Sequence, residues 1–239
     1  MEFEEFKREF EKYLAKMNIS LLKEQYEQFY AYMELLIEWN EKMNLTAITD
    51  PKEIILKHFV DSLTIAKYVK EDKSIIDMGT GAGFPGIPIK IYRKDVKVVL
   101  ADSLNKRIKF LDEVIDKLKL ENVETIHCRA EELGKNKQYR EKFDYATSRA
   151  VANLSTLSEY LMPFVKLNGK CIFMKTIEVE EELEKAKKAI KTLGGKIEKV
   201  DKFEIPESDL GRSIIIAKKE KITPNKFPRK LGTPAKEPL

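Results

Sequence analysis

The sequence is poor in cysteine, histidine and tryptophan, and it has no long apolar run. Its 239 residues include two cysteines, two histidines and one tryptophan. Cys128 and Cys171 are too few for a disulfide framework, and neither stands in a Cys-x-x-Cys pair. With only His58 and His127 besides, we expect no metal site. No apolar run approaches about 20 residues, and the first residues are acidic, unlike a signal peptide. These absences predict a cytoplasmic protein without a membrane segment.

Charge is nearly balanced over most of the chain. Lysine and arginine outnumber acidic residues by 44 to 40, so a basic field over the whole surface is not expected. Residues 218–239 differ, because they hold seven basic residues, two acidic residues and four prolines. Composition alone favours a solvated tail here. The prolines also allow the alternative of a stiff, extended arm lying along a polyanion.

The first 73 residues have helical periodicity. Aromatic and aliphatic residues recur every three to four positions across residues 1–42, which predicts helices that use this stripe for core packing rather than for base stacking. Residues 54–68 predict a further helix carrying His58 and Asp61. We therefore expect a helical subdomain over residues 1–73, packed on the rest of the protein.

Strands and helices alternate in the second part of the chain. Apolar or β-branched segments predict strands at 74–78, 96–101, 122–126, 142–147 and 170–175, with helical patterns between them. This order predicts an α/β, doubly wound, Rossmann-like parallel sheet. After a helix at 179–193, segments 196–205 and 212–218 follow one another without a helix and predict an antiparallel hairpin. A mostly parallel seven-stranded sheet ending in such a hairpin is typical of class I methyltransferases, and we place that domain at 74–218 and a basic tail at 219–239.

A glycine-rich turn follows the first predicted strand. The strand ends in Asp77 and leads into Gly79, Gly81 and Gly83, where the missing Cβ atoms permit tight turns and close approach of a ligand to the backbone N–H groups. Such a turn between a strand and a helix predicts a site for a nucleoside- or phosphate-bearing ligand.

Two cofactors compete for this turn. Residues 81–86 fit the dinucleotide pattern G-x-G-x-x-G, and Asp102 at the end of the next strand suits the ribose of either cofactor. Asp77 decides between them, because its negative charge would oppose a pyrophosphate but suits a cationic sulfonium that carries an amino group. S-adenosylmethionine fits better.

Seven segments, in order along nearly the whole chain, resemble one family. They are Trp39-Asn40 with Asn44-Leu45-Thr46, His58 to Leu63, Asp77 to Pro88, Asp102-Ser-Leu with Lys106-Arg107, Arg129 to Glu132, Phe143 to Ala150, and Phe227 to Leu239. The chain resembles the bacterial ribosomal RNA guanine-N7 methyltransferases called RsmG or GidB. Thr80, where serine is expected, and Thr176, where glycine often occurs, are small departures from the pattern.

The resemblance implies roles for individual residues. Gly79 and Phe84 would line the methionine and sulfonium end of S-adenosylmethionine, and Arg149 would close the site beside the transferred methyl. Lys175 ends the fifth predicted strand, and this position would let it touch RNA. Arg149 and Lys175 each have a plainer alternative, a surface salt bridge and a solvated lysine respectively. The expected cofactor-binding set is Asp77, Gly79, Gly81, Gly83, Phe84, Asp102, Ser103 and Leu104 at the ribose, Ala130 and Glu131 at the adenine, and Arg149, which is also the catalytic candidate. The expected RNA-binding set is Lys175, Lys226, Arg229 and Lys230.

The residue inventory also restricts the reaction. Neither cysteine lies in the Pro-Cys loop that attack on cytosine C5 requires, and Ser148-Arg149-Ala150 stands where an exocyclic-amine methyltransferase carries acceptors of the Asn-Pro-Pro-Tyr kind. Guanine N7 bears a lone pair and no proton, so its methylation needs positioning rather than a general base.

We therefore expect S-adenosylmethionine-dependent methylation of a guanine N7 in 16S ribosomal RNA, with S-adenosylhomocysteine as the product and without a metal. The resemblance places the guanine in the 530-loop region. The expected partner is this RNA, the small subunit or an assembly intermediate, and the expected protein is a monomer. Two alternatives remain: methylation of a protein or small molecule, and a catalytically silent RNA-binding or assembly factor that keeps a nucleoside pocket.

Overall fold

The computed structural model describes residues 1–149 and 152–239, and its centre is a seven-stranded sheet. Ala150, the last residue of one of the motifs, lies outside the described residues. The strands are β1 (Ser74–Met78), β2 (Lys97–Asp102), β3 (Val123–His127), β4 (Phe143–Arg149), β5 (Val165–Thr176), β6 (Gly195–Glu204) and β7 (Gly211–Lys219). Their order across the sheet is β3-β2-β1-β4-β5-β7-β6.

The strand directions confirm the predicted fold class. β1 to β5 are parallel to one another, whereas β7 runs antiparallel to both β5 and β6. β1 lies between β2 and β4, so that Ile75 is opposite both Val98 and Tyr145. The order reverses at this strand, and in open α/β sheets the crevice at such a reversal is where ligands bind. The predicted hairpin is β6–β7.

Helices cover both faces of the sheet. The N-terminal helices are α1 (Phe3–Lys16) and α2 (Lys23–Met43), and those of the sheet domain are α5 (Gly86–Tyr92), α6 (Asn105–Lys117), α7 (Ala130–Leu133), α8 (Leu154–Leu161), α9 (Glu180–Thr192) and α10 (Thr233–Lys236). Because both faces are covered, the central strands are apolar almost throughout. Within the described parts of the chain, no helix is both long and apolar enough to cross a bilayer.

The aromatic stripe of the N-terminal helices forms core, as its spacing predicts. Phe6, Phe10 and Phe29 are fully buried and pack edge-on or tilted against one another and against Phe59. One continuous hydrophobic cluster extends from these rings to residues of the sheet such as Ile75. The helices are therefore bound to the sheet by a shared core.

The helix between the N-terminal pair and β1 is irregular. It consists of α3 (Pro51–Ile54), a π-helical turn (Ile55–Val60), α4 (Asp61–Leu63) and a short 3₁₀ segment (Ala66–Tyr68). It begins before the predicted residue 54, because the Asp50 carboxylate accepts the Glu53 N–H at 3.0 Å and proline occupies the first helical position. π-helical turns are rare and often occur at functional sites.

The tail, residues 219–239, packs on the sheet domain, so the expectation of a solvated or freely extended arm is wrong. Phe227 is 3% exposed, and Pro228 and Pro234 are buried. Arg140 holds the chain by donating to the carbonyl oxygens of Thr223 and Phe227 at 2.7 and 2.8 Å. Composition could not show this, because the anchoring partners lie far away in the sequence.

Candidate functional site

Asp77, at the end of β1, is the most buried charge of the candidate site. It is 0% exposed, and its Oδ2 accepts hydrogen bonds from the Thr80 hydroxyl at 2.7 Å and from the Gly86 N–H at 2.9 Å. Its Oδ1 has no hydrogen-bond partner among residues 1–149 and 152–239. Burial raises the pKa of Asp77 to about 6, although these hydrogen bonds oppose the increase. A buried carboxylate oxygen without a partner fits a ligand that brings a hydrogen-bond donor.

The glycine turn after β1 has the backbone that its sequence predicts. Gly79, Gly81 and Gly83 have φ angles of +70°, +63° and +100°, which residues other than glycine rarely adopt. A Cβ on Gly83 would lie 2.6 Å from Tyr32 Oη, whereas a Cβ on Gly81 would have nothing described within 4 Å. Gly83 therefore serves close packing, and Gly81 faces open space.

Asp102, at the end of β2, ties its strand to this turn. It is 2% exposed, its Oδ2 accepts the Gly81 N–H at 2.9 Å, and its Oδ1 accepts the Leu104 N–H at 2.9 Å. Arg107 lies 3.1 Å from the same carboxylate. Both strand-end acids thus organise backbone turns at the edge where a cofactor is expected.

A cavity of about 200 Å³ opens at this edge of the sheet. It brings together five of the predicted cofactor-binding residues, namely Gly79, Asp102, Ser103, Ala130 and Glu131. Other residues of its lining were not predicted, among them Cys128, Arg129, Ser148, Tyr160 and Ala235. Ser148 lies beside Arg149 in a motif and could have been found, whereas nothing in the sequence relates Ala235 to strands much earlier in the chain.

Other predicted residues lie near this cavity but outside its lining. Phe84 directly follows the glycine turn in the sequence, is 5% exposed and stacks on His58 with 4.4 Å between ring centroids. Leu104 precedes α6 and is 40% exposed. Gly81 and Gly83 shape the turn.

Two buried polar groups suit S-adenosylmethionine: Ser148 lines the cavity, whereas Asp77, the residue before the lining Met78, does not line it. Besides Asp77 Oδ1, the hydroxyl of Ser148 at the end of β4 is buried without a described hydrogen-bond partner. β1 and β4 are adjacent, so both unsatisfied groups lie at the strand reversal. The carboxylate suits the ammonium group of the cofactor's methionine part, and Asp102 lies at the strand end expected to meet the ribose.

Arg149 lies on β4 and contacts the irregular helix of the N-terminal region. Its Nη1 donates to Asp61 Oδ2 and to the Lys57 carbonyl oxygen, each at 3.0 Å, and its guanidinium lies 4.9 Å from the centre of the Phe84 ring. The side chain is 17% exposed, so the contact with Asp61 is mostly buried rather than a surface salt bridge. Its catalytic role stays a prediction.

His58 completes the surroundings of Arg149. The guanidinium can only donate, so His58 Nδ1 accepts its Nη2 at 3.1 Å, and His58 Nε2 carries the proton that it donates to the Thr46 hydroxyl at 3.0 Å. Burial and the charge of Arg149 lower the pKa of His58 to about 3. The imidazole is therefore neutral and helps to fix the orientation of Arg149.

A second cavity, of about 310 Å³, is lined by Arg149, which does not line the first cavity. Its lining includes Lys175 and Arg212. Lys175 donates to the Ala152 carbonyl oxygen at 3.0 Å and pairs with Glu182 at 2.8 Å, with 14% of its side chain exposed. It is not the solvated lysine of the plainer alternative, and contact with RNA stays a prediction.

The structure separates the three predicted RNA-binding residues of the tail. Lys226 and Lys230 are exposed, whereas Arg229 forms an ion pair with Glu159, which is 0% exposed. The Nε and Nη2 donors of Arg229 are thus engaged by protein, and Glu159 balances its charge. Lys226 and Lys230 remain the candidates for phosphate contacts.

The cysteines offer no nucleophile in the ordinary pH range. Cys128 lines the cofactor cavity, but burial and then Glu132 raise its pKa to about 11. Cys171 is fully buried in β5, and burial raises its pKa to about 12. Across the described residues, no group of three or more histidine, cysteine, aspartate or glutamate side chains is arranged to hold a metal ion.

Two solved structures show the same fold. An S-adenosylmethionine-dependent methyltransferase from Aquifex aeolicus superposes with a TM-score of 0.52 at 18% identity, over 73% of this chain and 96% of the other. M. jannaschii TYW2 in complex with AdoMet superposes with a TM-score of 0.53 at 19% identity, over 66% and 72% of the two chains. These similarities establish the architecture alone.

Sequence similarity is much stronger. The family model for rRNA small subunit methyltransferase G, GidB, matches residues 25–211. The ribosomal RNA small subunit methyltransferase G of Acetivibrio thermocellus is 53% identical, over 92% of this chain and 91% of its own length. That of Bacillus licheniformis is 53% identical over 95% of both chains. The resemblance found in the motifs is confirmed, and the chain belongs to the rRNA small subunit methyltransferase G family.

Proposed function

We propose that the protein transfers a methyl group from S-adenosylmethionine to N7 of a guanine in the 530-loop region of 16S ribosomal RNA. The observation that carries the proposal is the buried, half-satisfied carboxylate of Asp77 at the strand reversal, in a chain of this family. When bound, S-adenosylmethionine supplies an electrophilic methyl group on a cationic sulfur.

The residues of the site are suited to orienting the reactants. Asp77 Oδ1 would accept from the ammonium group of the cofactor, Asp102 and Ser103 would hold the ribose, and Glu131 would lie at the adenine. Guanine N7 carries no proton, so methyl transfer requires alignment and leaves no proton to remove. A raised pKa of Cys128 and a neutral His58 agree with a site that uses neither a thiolate nor an imidazolium.

Arg149 is the proposed catalytic residue, as the family resemblance implies, and it links β4 to the helix that carries His58 and Asp61. Its guanidinium lies 4.9 Å from the centre of the Phe84 ring, and Phe84 directly follows Gly83 of the glycine turn. A planar donor at this place can contact the edge of a guanine, where O6 stays free when N7 is the nucleophile. Methylation of ribosomal RNA would take place in the cytoplasm. The proposed contacts with RNA are Lys175, Lys226 and Lys230.

The test is transfer of a labelled methyl group to small subunits from a strain that lacks the enzyme, followed by nucleoside analysis of the RNA. We expect label in 7-methylguanosine of 16S RNA, and Asp77→Ala as the inactive control. Label confined to protein or to small molecules would support the second alternative. RNA binding without label would support the silent assembly factor, and either result would overturn the proposal.

A further inference from the structure

The strongest anchor of the tail is a buried ion pair between Arg229 and Glu159 of α8. Glu159 is 0% exposed and accepts hydrogen bonds from the Arg229 backbone N–H at 2.7 Å, from Nε at 3.0 Å and from Nη2 at 2.7 Å. The hydrogen bond to Glu159 raises the pKa of Arg229. A buried carboxylate satisfied in this way is strongly destabilising when its partner is removed. The contact therefore fixes the position of the tail.

Beyond Arg229 the tail runs towards the cofactor cavity. The Gly232 N–H donates to Glu131 Oε1 at 3.0 Å, and the Thr156 hydroxyl of α8 donates to the Pro234 carbonyl oxygen at 2.9 Å. The first contact joins the tail to a residue predicted to face the adenine. The second secures α10 to α8.

Ala235, in α10, lines the cofactor cavity together with Gly79, Ser103 and Glu131. The cavity is thus lined by residues at the ends of the parallel strands, by residues of α7 and α8, and by Ala235 of the tail. Lys236, the next residue, is also exposed but does not line the cavity.

We propose that the tail is the outer wall of the cofactor pocket, with Ala235 limiting its width and Arg229 as the positioning residue that holds the wall through Glu159. The inference rests on the proposed cofactor site. It gives the motif from Phe227 to Leu239 a role in binding a nucleoside, whereas its composition favoured a solvated tail and allowed an arm along a polyanion as the alternative.

If the tail forms this wall, docking of the tail and binding of the cofactor should each favour the other. If the ligand can contact the tail only when the tail is docked, then ligand binding shifts the tail towards the docked state. Docking in turn raises the affinity for the ligand by the same factor. The hydrogen bond from Gly232 to Glu131 is the contact through which each would act on the other.

The decisive experiment measures the affinity for S-adenosylhomocysteine by calorimetry in variants of α10. Ala235→Trp places a large ring in the cavity, and we expect at least tenfold weaker binding. Lys236→Trp adds the same bulk at an exposed neighbour outside the cavity and should bind as the wild type does. If Ala235→Trp bound S-adenosylhomocysteine as tightly as the wild type, the proposal that the tail forms a wall of the pocket would be overturned. Equal losses of affinity in Ala235→Trp and Lys236→Trp would overturn it as well. A wild type that fails to bind would instead overturn the cofactor site itself.

A second variant tests the anchor. Arg229→Gln should weaken binding of S-adenosylhomocysteine and speed amide hydrogen exchange in residues 230–237, whereas Lys230→Gln should change neither. The ligand should slow exchange in this segment of the wild-type protein. If exchange there is the same with and without bound ligand, the coupling is wrong, and the result does not depend on either variant folding.

Discussion

Two acidic residues end adjacent strands, and the structure gives them different chemistry. Both oxygens of Asp102 accept hydrogen bonds from the protein, whereas Asp77 keeps one oxygen without a described partner. Asp102 is thus satisfied before any ligand arrives, and Asp77 is not. The difference assigns the cationic end of the cofactor to Asp77.

The affinity for S-adenosylmethionine should therefore depend on pH through Asp77. Its pKa is about 6 in the free protein, and the ligand favours the ionised form, so protonation competes with binding as pH falls below 6. We expect binding about tenfold weaker at pH 5 than at pH 7, since each pH unit below the pKa lowers the ionised fraction about tenfold. Calorimetry across this range checks the slope. Asp77→Asn should bind weakly and without this dependence, and a wild-type affinity that is flat from pH 5 to 7 would contradict the assignment.

Arg149 has structural partners as well as its proposed role, so its substitution should affect stability too. Arg149→Ala leaves Asp61 paired with Arg212, whose Nε lies 2.7 Å from Asp61 Oδ1, and we expect a loss of about 2 kcal/mol in the free energy of unfolding. Arg212→Ala is the matched control, because it removes the other half of the same ion-pair network. Chemical denaturation measures both losses.

Turnover should separate the two arginines. We expect about a 100-fold loss of methyl transfer in Arg149→Ala beyond that of Arg212→Ala, by analogy with removal of one preorganised donor. Arg149→Lys should recover little, because an ammonium group cannot donate to Asp61, to the Lys57 carbonyl and to His58 in one plane. Equal losses in both alanine variants would reduce Arg149 to a structural residue.

At the level of residues, sequence reasoning found the groups that depend on strand ends and missed those that depend on distant contacts. Asp77 and Asp102 follow from the position at which an apolar segment stops. Arg229 looks like any other cation of a basic tail, and only the fold shows that Glu159, 70 residues earlier, balances its charge and accepts from its Nε and Nη2. Charge composition cannot distinguish a phosphate partner from a buried carboxylate.

Among the elements, the glycine turn contains neighbouring glycines that are required for different reasons. Gly81→Ala meets no described atom within 4 Å, so we expect a loss of about 1 kcal/mol from its positive φ alone. Gly83→Ala would in addition press on Tyr32 and on Ile87, whose Cγ1 would lie 2.7 Å away, and should lose about 1 to 3 kcal/mol more. Urea denaturation of both variants tests this order, and the reverse order would show that the turn packs differently.

Element positions were predictable where periodicity was strong. All seven strands were anticipated, and β1 has the predicted bounds, whereas β5 begins at Val165 instead of 170 because its first residues extend beyond the apolar segment. The π-helical turn had no signal, since one extra residue within a helical turn does not disturb an apolar stripe noticeably. It lies next to the site and carries His58, and Asp61 follows directly as the first residue of α4, so that both side chains contact Arg149.

For the molecule as a whole, the affinity for RNA should depend less on salt concentration than the number of basic residues in the tail suggests. Arg229 is held by Glu159, so the tail offers Lys226 and Lys230. The double variant Lys226→Gln/Lys230→Gln should reduce the slope of log affinity against log salt by about 1.4, at roughly 0.7 for each phosphate that is no longer neutralised. Salt titrations of RNA binding measure the slope.

The affinity of the same variant for S-adenosylhomocysteine should stay unchanged, because neither lysine lines the cavity. Parallel slopes for variant and wild type would show that both lysines are merely solvated. Removing the whole tail is a poorer test, since it would also expose the hydrophobic cluster to which Phe227 belongs and leave Glu159 unpaired.

The sheet is assembled from two halves that meet at β1 and β4, where Ile75 pairs with Tyr145 across 70 residues of chain. Joining them requires closure of a long loop, so this seam is expected to form late and slowly. The unsatisfied groups of Asp77 and Ser148 lie on its two sides, and the ligand site exists only once the seam is closed. A bound nucleoside should therefore slow unfolding and leave the refolding rate unchanged, which would make the lifetime of the native protein depend on the supply of its methyl donor.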